Sequence, residues 1–355
     1  MTLKIDHVSK KLGNFSLRDV SLEVAEGEYF VLLGPTGAGK TVLLEVIMGF
    51  NHPDSGKILL NERDITNVQV DKRGMAYVPQ NCPLFPHMNV SENVEFGLKM
   101  RRMTSAERSK TVKKMLDAMG LWEMTKVMPS TLSGGERQKV VLARVLVTEP
   151  TVVLLDEPLT SIDTETSRSL RKELKRINHE FKVAFLHVTH DQIEAFSLAD
   201  KVGIMMDGKI VQNGTPEDIL SKPASEPVAR FLGYENVLYV KLVKYKSGIS
   251  EVSADGVSIK LKGKLESDAA TIAIHPEDVS VTTEAPVSEE TNSFEGKVRD
   301  YTNLGPIVEV VVDIGLKFKA FIDKRSFIEL NLIEGKNVHI AFRTDSVKIV
   351  GAGNG

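Results

Sequence analysis

Apolar residues fall along this chain in distinct rhythms. In KIDHVSKKL and FSLRDVSLEV, near the start, apolar and polar positions alternate, the period-2 signature of strands with one buried face. In Tyr29–Leu33, Val152–Leu155 and KVAFLHV (182–188) the apolar run is nearly unbroken, as in parallel strands buried on both faces. Between these runs Val112, Met115, Leu116 and Met119 recur at i, i+3, i+4, i+7. A T-x-x-E capping box at Thr104 and Glu107 precedes them and Gly120 follows as the C-cap, so the spacing predicts a helix. Further helices are expected from about Thr41 to Met48, stopped by Gly49, and from about Glu136 to Val147. Strands alternating with helices predict an α/β unit with a covered parallel sheet and a helical insertion from about Pro86 to Val147.

Around Gly233 the rhythm changes. Residues 237–350 hold short alternating strands separated by turn signals (DG, KG, LGP, IGL), which predicts a small all-β domain of the barrel type. It reads as an internal duplication. IAIHPEDVSV (272–281) and IAFRTDSVKI (340–349) match at an offset of 68, and NVLYVKLV (236–243) matches NSFEGKVR (292–299) more weakly. EAPVSEETN (284–292), with Pro286, reads as the connector. The expected domains are thus 1–232, with a helical subdomain at about 86–147, and 233–355.

A length of 355 residues suits two or three domains. Forty-five basic against forty-eight acidic residues leave a net charge of −3, which offers no global field for nucleic acid or an anionic membrane. Lys99–Lys114 is locally basic, and reads either as the solvated face of a helix or as a surface for anionic lipid or nucleic acid. The single cysteine, Cys82, excludes an intrachain disulfide and a cysteine-clustered zinc site. No apolar run reaches the ~18–20 residues of a membrane span, and MTLKIDHVSK lacks the apolar core of a signal peptide. The expectation is a cytoplasmic chain that meets a membrane only through a partner.

Gly34-Pro35-Thr36-Gly37-Ala38-Gly39-Lys40-Thr41 fits G-x-x-x-x-G-K-[ST], between an apolar strand and a helix. Glycines let backbone N–H groups turn inward around phosphates, Lys40 supplies a point charge, and Thr41 presents a hydroxyl to Mg²⁺. A second buried strand ends in Asp156-Glu157: one carboxylate to hold Mg²⁺ through water, the next to orient and polarise an attacking water. Taken alone, that pair also fits a strand simply meeting solvent. Ser133-Gly134-Gly135-Glu136 opens a helix as an S-x-x-E capping box, and its two glycines would also let a phosphate approach the helix terminus. Two γ-phosphate sites on one chain are most simply used in a head-to-tail dimer, with ATP between the loop of one subunit and this helix of the other.

In their order and spacing, GPTGAGKT, Gln80 in YVPQ, LSGGERQKV, VLLDEP, LTSID (159–163) and His190 in VTHD closely resemble an ABC-transporter ATPase subunit over about residues 1–232. The resemblance implies ATP and Mg²⁺ as cofactors, with Thr41, Gln80 and Asp156 around the metal. It makes Glu157 the catalytic base, His190 the switch that contacts the γ-phosphate, and Gln80 the sensor that touches the membrane partner. Ser133 and Gly135 would close on the ATP of the other subunit, and Asp163 would lie at the dimer interface. Without it, His190 reads more readily as a core histidine than as a catalytic one. Phe85–Val90 is apolar for a loop and is either core of the insertion or, by the resemblance, the pocket for a transmembrane subunit. The sequence departs from the family in Glu136 (usually glutamine), Lys139 (often arginine) and Leu12, which stands where an aromatic usually stacks on adenine. Phe15 is the nearby candidate replacement.

Importers of this group carry a C-terminal regulatory β-domain, and here it resembles the molybdate/tungstate/sulfate branch. GYENVL (233–238) resembles the G-F-E-N-V-L entry, TNSFEGK (291–297) the S-R-N-x-x-x-G strand start, DKRSFIEL (323–330) the T-R-R-S-x-x-x-L turn, and AFRTDSVKIV (341–350) the closing strand. His275 replaces the arginine of an R-P-E-D turn. The resemblance gives an α/β P-loop ABC ATPase domain with helical insertion, followed by an all-β, OB-like oxyanion-binding regulatory domain. Asn292, Ser293, Lys324, Arg325, Ser326 and Arg343 are its expected oxyanion donors, converging at a subunit interface. It implies a homodimer on the cytoplasmic face of the membrane, with transmembrane permease subunits and an extracytoplasmic oxyanion-binding protein, and no nucleic acid. The alternatives are another importer (sulfate, sugar, polyamine or iron) with a purely structural β-domain, or a non-transport ABC ATPase.

Overall fold

A computed structural model describes residues 2–101, 103–160, 162–285 and 290–351. Arg102, Ser161 of LTSID and Pro286 of the connector lie outside them. The chain forms two compact units, Met1–Pro216 and Glu217–Gly355.

The first unit contains strands β1 (Leu3–Leu12), β2 (Phe15–Val24), β3 (Tyr29–Leu33), β4 (Ser55–Leu60), β5 (Arg63–Asp64), β6 (Met75–Val78), β7 (Val152–Asp156), β8 (Ala184–Thr189), β9 (Lys201–Met206) and β10 (Lys209–Gly214). Its helices are α1 (Lys40–Met48), α2 (Val90–Lys99), α3 (Ser105–Ala118), α4 (Gly134–Leu146), α5 (Thr164–Phe181) and α6 (Gln192–Leu198). One sheet runs β10-β9-β3-β8-β7-β6, parallel apart from its β10 edge; a second, antiparallel, runs β2-β1-β4-β5. Every residue of β3, β7 and β8 is buried, as their unbroken apolar runs require. Phe30, Leu32, Val152, Leu154, Leu186 and Val188 form a core with Leu43, Leu44 and Ile47 of α1 and Leu3, Ile5, Val20 and Leu22 of the antiparallel sheet. On the other side α6 packs on β3 and β8.

The expected insertion is present. Thr104 and Glu107 close both halves of their capping box on α3, and Gly120 follows at φ +66. Sequence periodicity missed α2, whose signal was a second box, Asn89 with Glu92. The buried guanidinium of Arg73 fastens the end of α1, donating to the carbonyls of Ile47, Thr66 and Val68. Free helix carbonyls favour a cation there. Among the described residues no helix is long and apolar enough to cross a membrane.

The second unit begins with two short helices, α7 (Pro216–Ser221) and α8 (Glu226–Phe231), and continues as β11 (Asn236–Lys246), β12 (Ile249–Ala254), β13 (Val257–Lys262), β14 (Ala269–Ile274), β15 (Ser280–Thr282), β16 (Thr291–Asn303), β17 (Ile307–Asp313), β18 (Lys317–Asp323), α9 (Lys324–Glu329), β19 (Asn337–Arg343) and β20 (Lys348–Val350). DKRSFIEL, read as a turn, is instead the short helix α9, capped by the Asp323 side chain. Two five-stranded sheets, β13-β12-β11-β14-β20 and β15-β19-β16-β17-β18, repeat one plan. Asn236 pairs with Ile274, and at the matching positions Asn292 pairs with Phe342. The bulge between Leu242 and Lys244 recurs between Val298 and Asp300.

The two copies exchange their last strands: Ala273 pairs with Lys348 across β14 and β20, and Ala341 with Ser280 across β19 and β15. Each first-strand asparagine also reaches into the other copy. Buried Asn292 accepts from Lys260 N and donates to Lys260 O of β13; buried Asn236 does the same to Lys319 of β18. One core includes Val240, Ile259 and Ile272 from the first copy and Val310, Phe318 and Phe342 from the second. Neither copy therefore closes its own fold. Asn292→Ala leaves the part-buried N–H and C=O of Lys260 without these partners, at a cost of up to about 1–3 kcal/mol each. It is expected to lower the hydrogen-exchange protection of the β13 amides by at least tenfold; unchanged protection would show that the asparagine does not join the copies.

Candidate ATP site

β3 delivers the chain into Gly34–Gly39, and α1 begins at Lys40 with Gly39 as its N-cap. Gly39 has φ +102, and a Cβ there would sit 2.2 Å from Cζ of Phe15. Both the left-handed backbone and the close ring demand glycine. Gly39 has no side chain to cap this terminus, which leaves the first-turn amides to bind an anion. Lys40 is buried and its Nζ donates to the carbonyls of Gly34 (2.8 Å) and Pro35 (3.0 Å), so the ammonium is curled over the loop. Burial pulls its pKa down, opposed by the carboxylates of Glu157 and Asp156.

Two strands away, β7 ends on Asp156. This buried carboxylate accepts from Thr41 Oγ1 (3.0 Å, on Oδ1) and from Tyr77 Oη (3.1 Å, on Oδ2). Burial pushes the Asp156 carboxyl up, and those two hydrogen bonds oppose the shift. Glu157 follows at φ +46, a left-handed backbone that a non-glycine residue seldom adopts. Its Oε2 accepts from Gln80 Nε2 (3.1 Å) and Thr160 Oγ1 (3.1 Å), and its Oε1 lies 3.1 Å from Nδ1 of His190. The three residues expected to act in catalysis, Gln80, Glu157 and His190, are thus gathered on one carboxylate. His190 is half exposed, whereas the fully buried His187, three residues earlier, is bonded through Nδ1 to the Tyr29 hydroxyl (3.0 Å). Tyr77 and Thr160 were missed, although both lie inside quoted segments, YVPQ and LTSID.

Ser133 caps α4. Its Oγ receives Glu136 N, while Glu136 Oε2 receives Ser133 N and Oγ (both 2.8 Å). Gly135 must be small, because a Cβ would meet the Thr166 methyl at 2.8 Å. Asp163 caps the neighbouring α5, accepting from Thr166 N. Among the described residues no hydrogen bond joins Ser133 or Glu136 to Lys40 or Thr41. At the β1–β2 turn Leu12 pairs with Phe15, and it is the Phe15 ring that touches the loop. A cavity of about 510 Å³ lined by Met115, Leu146, Thr151, Lys182 and Val183 opens at the amino ends of β7 and β8 and contains none of these groups.

Within the chain, most of the six expected oxyanion donors already have partners. The Asn292 amide is spent on Lys260, as above. Arg343 pairs with Asp345, Arg325 with Glu329, and Ser326 Oγ donates to Asp323. Among the described residues, Ser293 Oγ is buried without a hydrogen-bond partner. Thr291 pairs with Arg343 at one end of β16, whereas the Ile307–Asp323 pair that leads into Lys324–Ser326 lies next to its other end. The donors therefore form two groups, separated along a thirteen-residue strand. His275 is packed edge-on against Tyr234, and its Nδ1 accepts from Glu277 N.

A phosphate-binding loop, a strand ending in two carboxylates, and a glutamine and a histidine on the second of them define a nucleotide-hydrolysing site of the P-loop class. Residues 17–160 match the family described as ABC transporter. The chain is 42% identical over 351 residues to the molybdate/tungstate import ATP-binding protein WtpC of Pyrococcus abyssi, covering 98% of this chain and 99% of that protein. It is 35% identical over 352 residues to the sulfate/thiosulfate import ATP-binding protein CysA of a Synechocystis strain, covering 98% and 95%. A crystal structure of an ATP-binding cassette of an ABC transporter, in its ADP conformation, aligns with a TM-score of 0.57 at 24% identity, over 65% of this chain and 98% of that one, and supports the fold. This protein belongs to the ABC transporter family and is one of its ATP-hydrolysing subunits. Gly39→Ala is expected to weaken ATP binding at least tenfold while circular dichroism stays unchanged, because the left-handed φ and the Phe15 ring both refuse a methyl group. An unaltered ATP Kd would contradict the loop geometry.

Proposed function

We propose that this chain is the motor subunit of a tungstate or molybdate importer. It works as a homodimer on the cytoplasmic face of the membrane, on permease subunits that an extracytoplasmic oxyanion-binding protein supplies. The observation that carries the motor reading is the convergence of Gln80, His190 and Thr160 on the Glu157 carboxylate.

The loop amides of Gly34–Gly39 and the Lys40 ammonium bind the β- and γ-phosphates. Around Mg²⁺ the fitting donors are hard oxygens: the Thr41 hydroxyl, the Asp156 carboxylate and the Gln80 amide oxygen. Thr41 donates its proton to Asp156 and Gln80 donates through Nε2, so the oxygen of each remains an acceptor. Among the described residues no cluster of three or more His, Cys, Asp or Glu forms a cage of its own, which suits a metal bound largely through nucleotide phosphates. When bound, Mg²⁺ neutralises the phosphate charge. Glu157 takes the proton of the attacking water, and His190, resting on Glu157 Oε1, is placed to meet the γ-phosphate. Ser133, Gly134 and Gly135 of the second subunit close the site. Phe15 takes the place of the missing aromatic at Leu12 beside the adenine.

The oxyanion assignment rests on the higher identity to the molybdate/tungstate relative and on the β-domain segments. The two donor groups at opposite ends of β16 favour an anion site completed by a second chain. A purely structural β-domain is the second reading, and the ion pairs that occupy Arg325 and Arg343 favour it. Reconstituted with its permease in vesicles, the complex is expected to accumulate tungstate or molybdate on ATP addition, in preference to sulfate or spermidine. Glu157→Gln should keep ATP binding but lower hydrolysis and uptake at least a hundredfold. Preferred uptake of sulfate or spermidine would overturn the substrate; near-normal turnover of the variant would remove Glu157 from the base role.

A further inference from the structure

Tyr77 lies on β6, in the strand next to β7 and paired with Leu154, two residues before Asp156. Its hydroxyl donates to Asp156 Oδ2 at 3.1 Å, while Thr41 donates to the other oxygen, Oδ1, at 3.0 Å. The Phe50 ring, just beyond the far end of α1, packs on Tyr77 edge-on with centroids 5.8 Å apart. The phenol is therefore held in place by the segment that ends α1 and aimed at a carboxylate that faces the start of α1. Gln80, three residues further along, makes a parallel link to Glu157. The segment that leaves β6 thus places one donor on each of the two consecutive carboxylates.

We propose that Tyr77 is a positioning residue for the metal-binding carboxylate: by fixing Oδ2 it sets the orientation in which Asp156 and the Thr41 hydroxyl receive Mg²⁺ together with ATP. The proposal rests on the metal role given to Thr41 and Asp156 above. A carboxylate pinned at only one oxygen turns about its Cβ–Cγ bond and presents either oxygen to a cation. Two donors from separate elements remove that freedom before the metal arrives, so ordering the ligand costs less on binding. Because Tyr77 acts through Asp156, its effect should appear in metal affinity and not in affinity for metal-free nucleotide.

Tyr77→Phe removes the donor and keeps the ring against Phe50. With the full-length chain and saturating non-hydrolysable ATP analogue, Mn²⁺ binding followed by electron paramagnetic resonance is expected to weaken about five- to tenfold. Affinity for the analogue in EDTA should change less than twofold. A Mn²⁺ affinity within twofold of the natural chain overturns the proposal, as does a parallel loss of analogue affinity in EDTA, which would make Tyr77 a packing residue of the loop. If the natural chain itself binds no Mn²⁺ with the analogue present, the metal role of Thr41 and Asp156 fails, and the positioning role falls with it.

Discussion

The in-register pairing of three buried parallel strands is the constraint on which the site depends. Leu33 at the end of β3 pairs with Thr189 of β8, and Val188 pairs with Asp156 at the end of β7. Gly34, His190 and Glu157 consequently leave the sheet at nearly the same level, and Val78, paired with Leu155, brings Gln80 there from the next strand. No single loop holds these groups together; the shared edge of the sheet does. A slip of one residue in any strand would turn its side chains to the opposite face and move its functional residue to another level.

Much of this was legible because each functional element is announced by local chemistry. The glycines of 34–39, the paired acids at 156 and 157 and the capping boxes at Thr104 and Ser133 are short-range signals with a direct structural consequence. What escaped depends on neighbours distant in sequence. Tyr77 is an ordinary strand tyrosine until β7 is placed beside it. His190 stands out in the sequence only through the VTHD segment; its place at the end of β8, beside Glu157, separates it from the core histidine His187, which is bonded to Tyr29. The short helix α9 escaped because six residues are too few to show periodicity, and its Asp323 cap is also an ordinary turn residue.

The β-unit shows the same division between local and distant information. Its duplication was visible in the 68-residue repeat, and the strand pairing follows that repeat through to the shared bulge. The exchange of β15 and β20 was not visible, since a repeat says nothing about which copy receives a terminal strand. Asn292 illustrates the cost of motif reasoning. As a polar residue at a strand start it looked available to an anion, yet it matches Asn236, and both are committed to a third-strand backbone in the other copy. Buried asparagines that satisfy backbone groups have little capacity left for a ligand.

On the proposed reading, a complete ATP site takes Lys40 from one chain and Ser133 from another. Mixing two inactive variants tests it directly, since Lys40→Ala removes the phosphate charge and Ser133→Arg blocks the closing helix. A dimer containing one of each keeps one undamaged pair, Lys40 from the second with Ser133 from the first. ATP turnover of the separate variants should be negligible, and after subunit exchange the mixture should recover up to about a quarter of natural activity, the statistical share of intact sites in a two-fold dimer. A mixture as inactive as its components, with exchange verified, would contradict a site shared between chains.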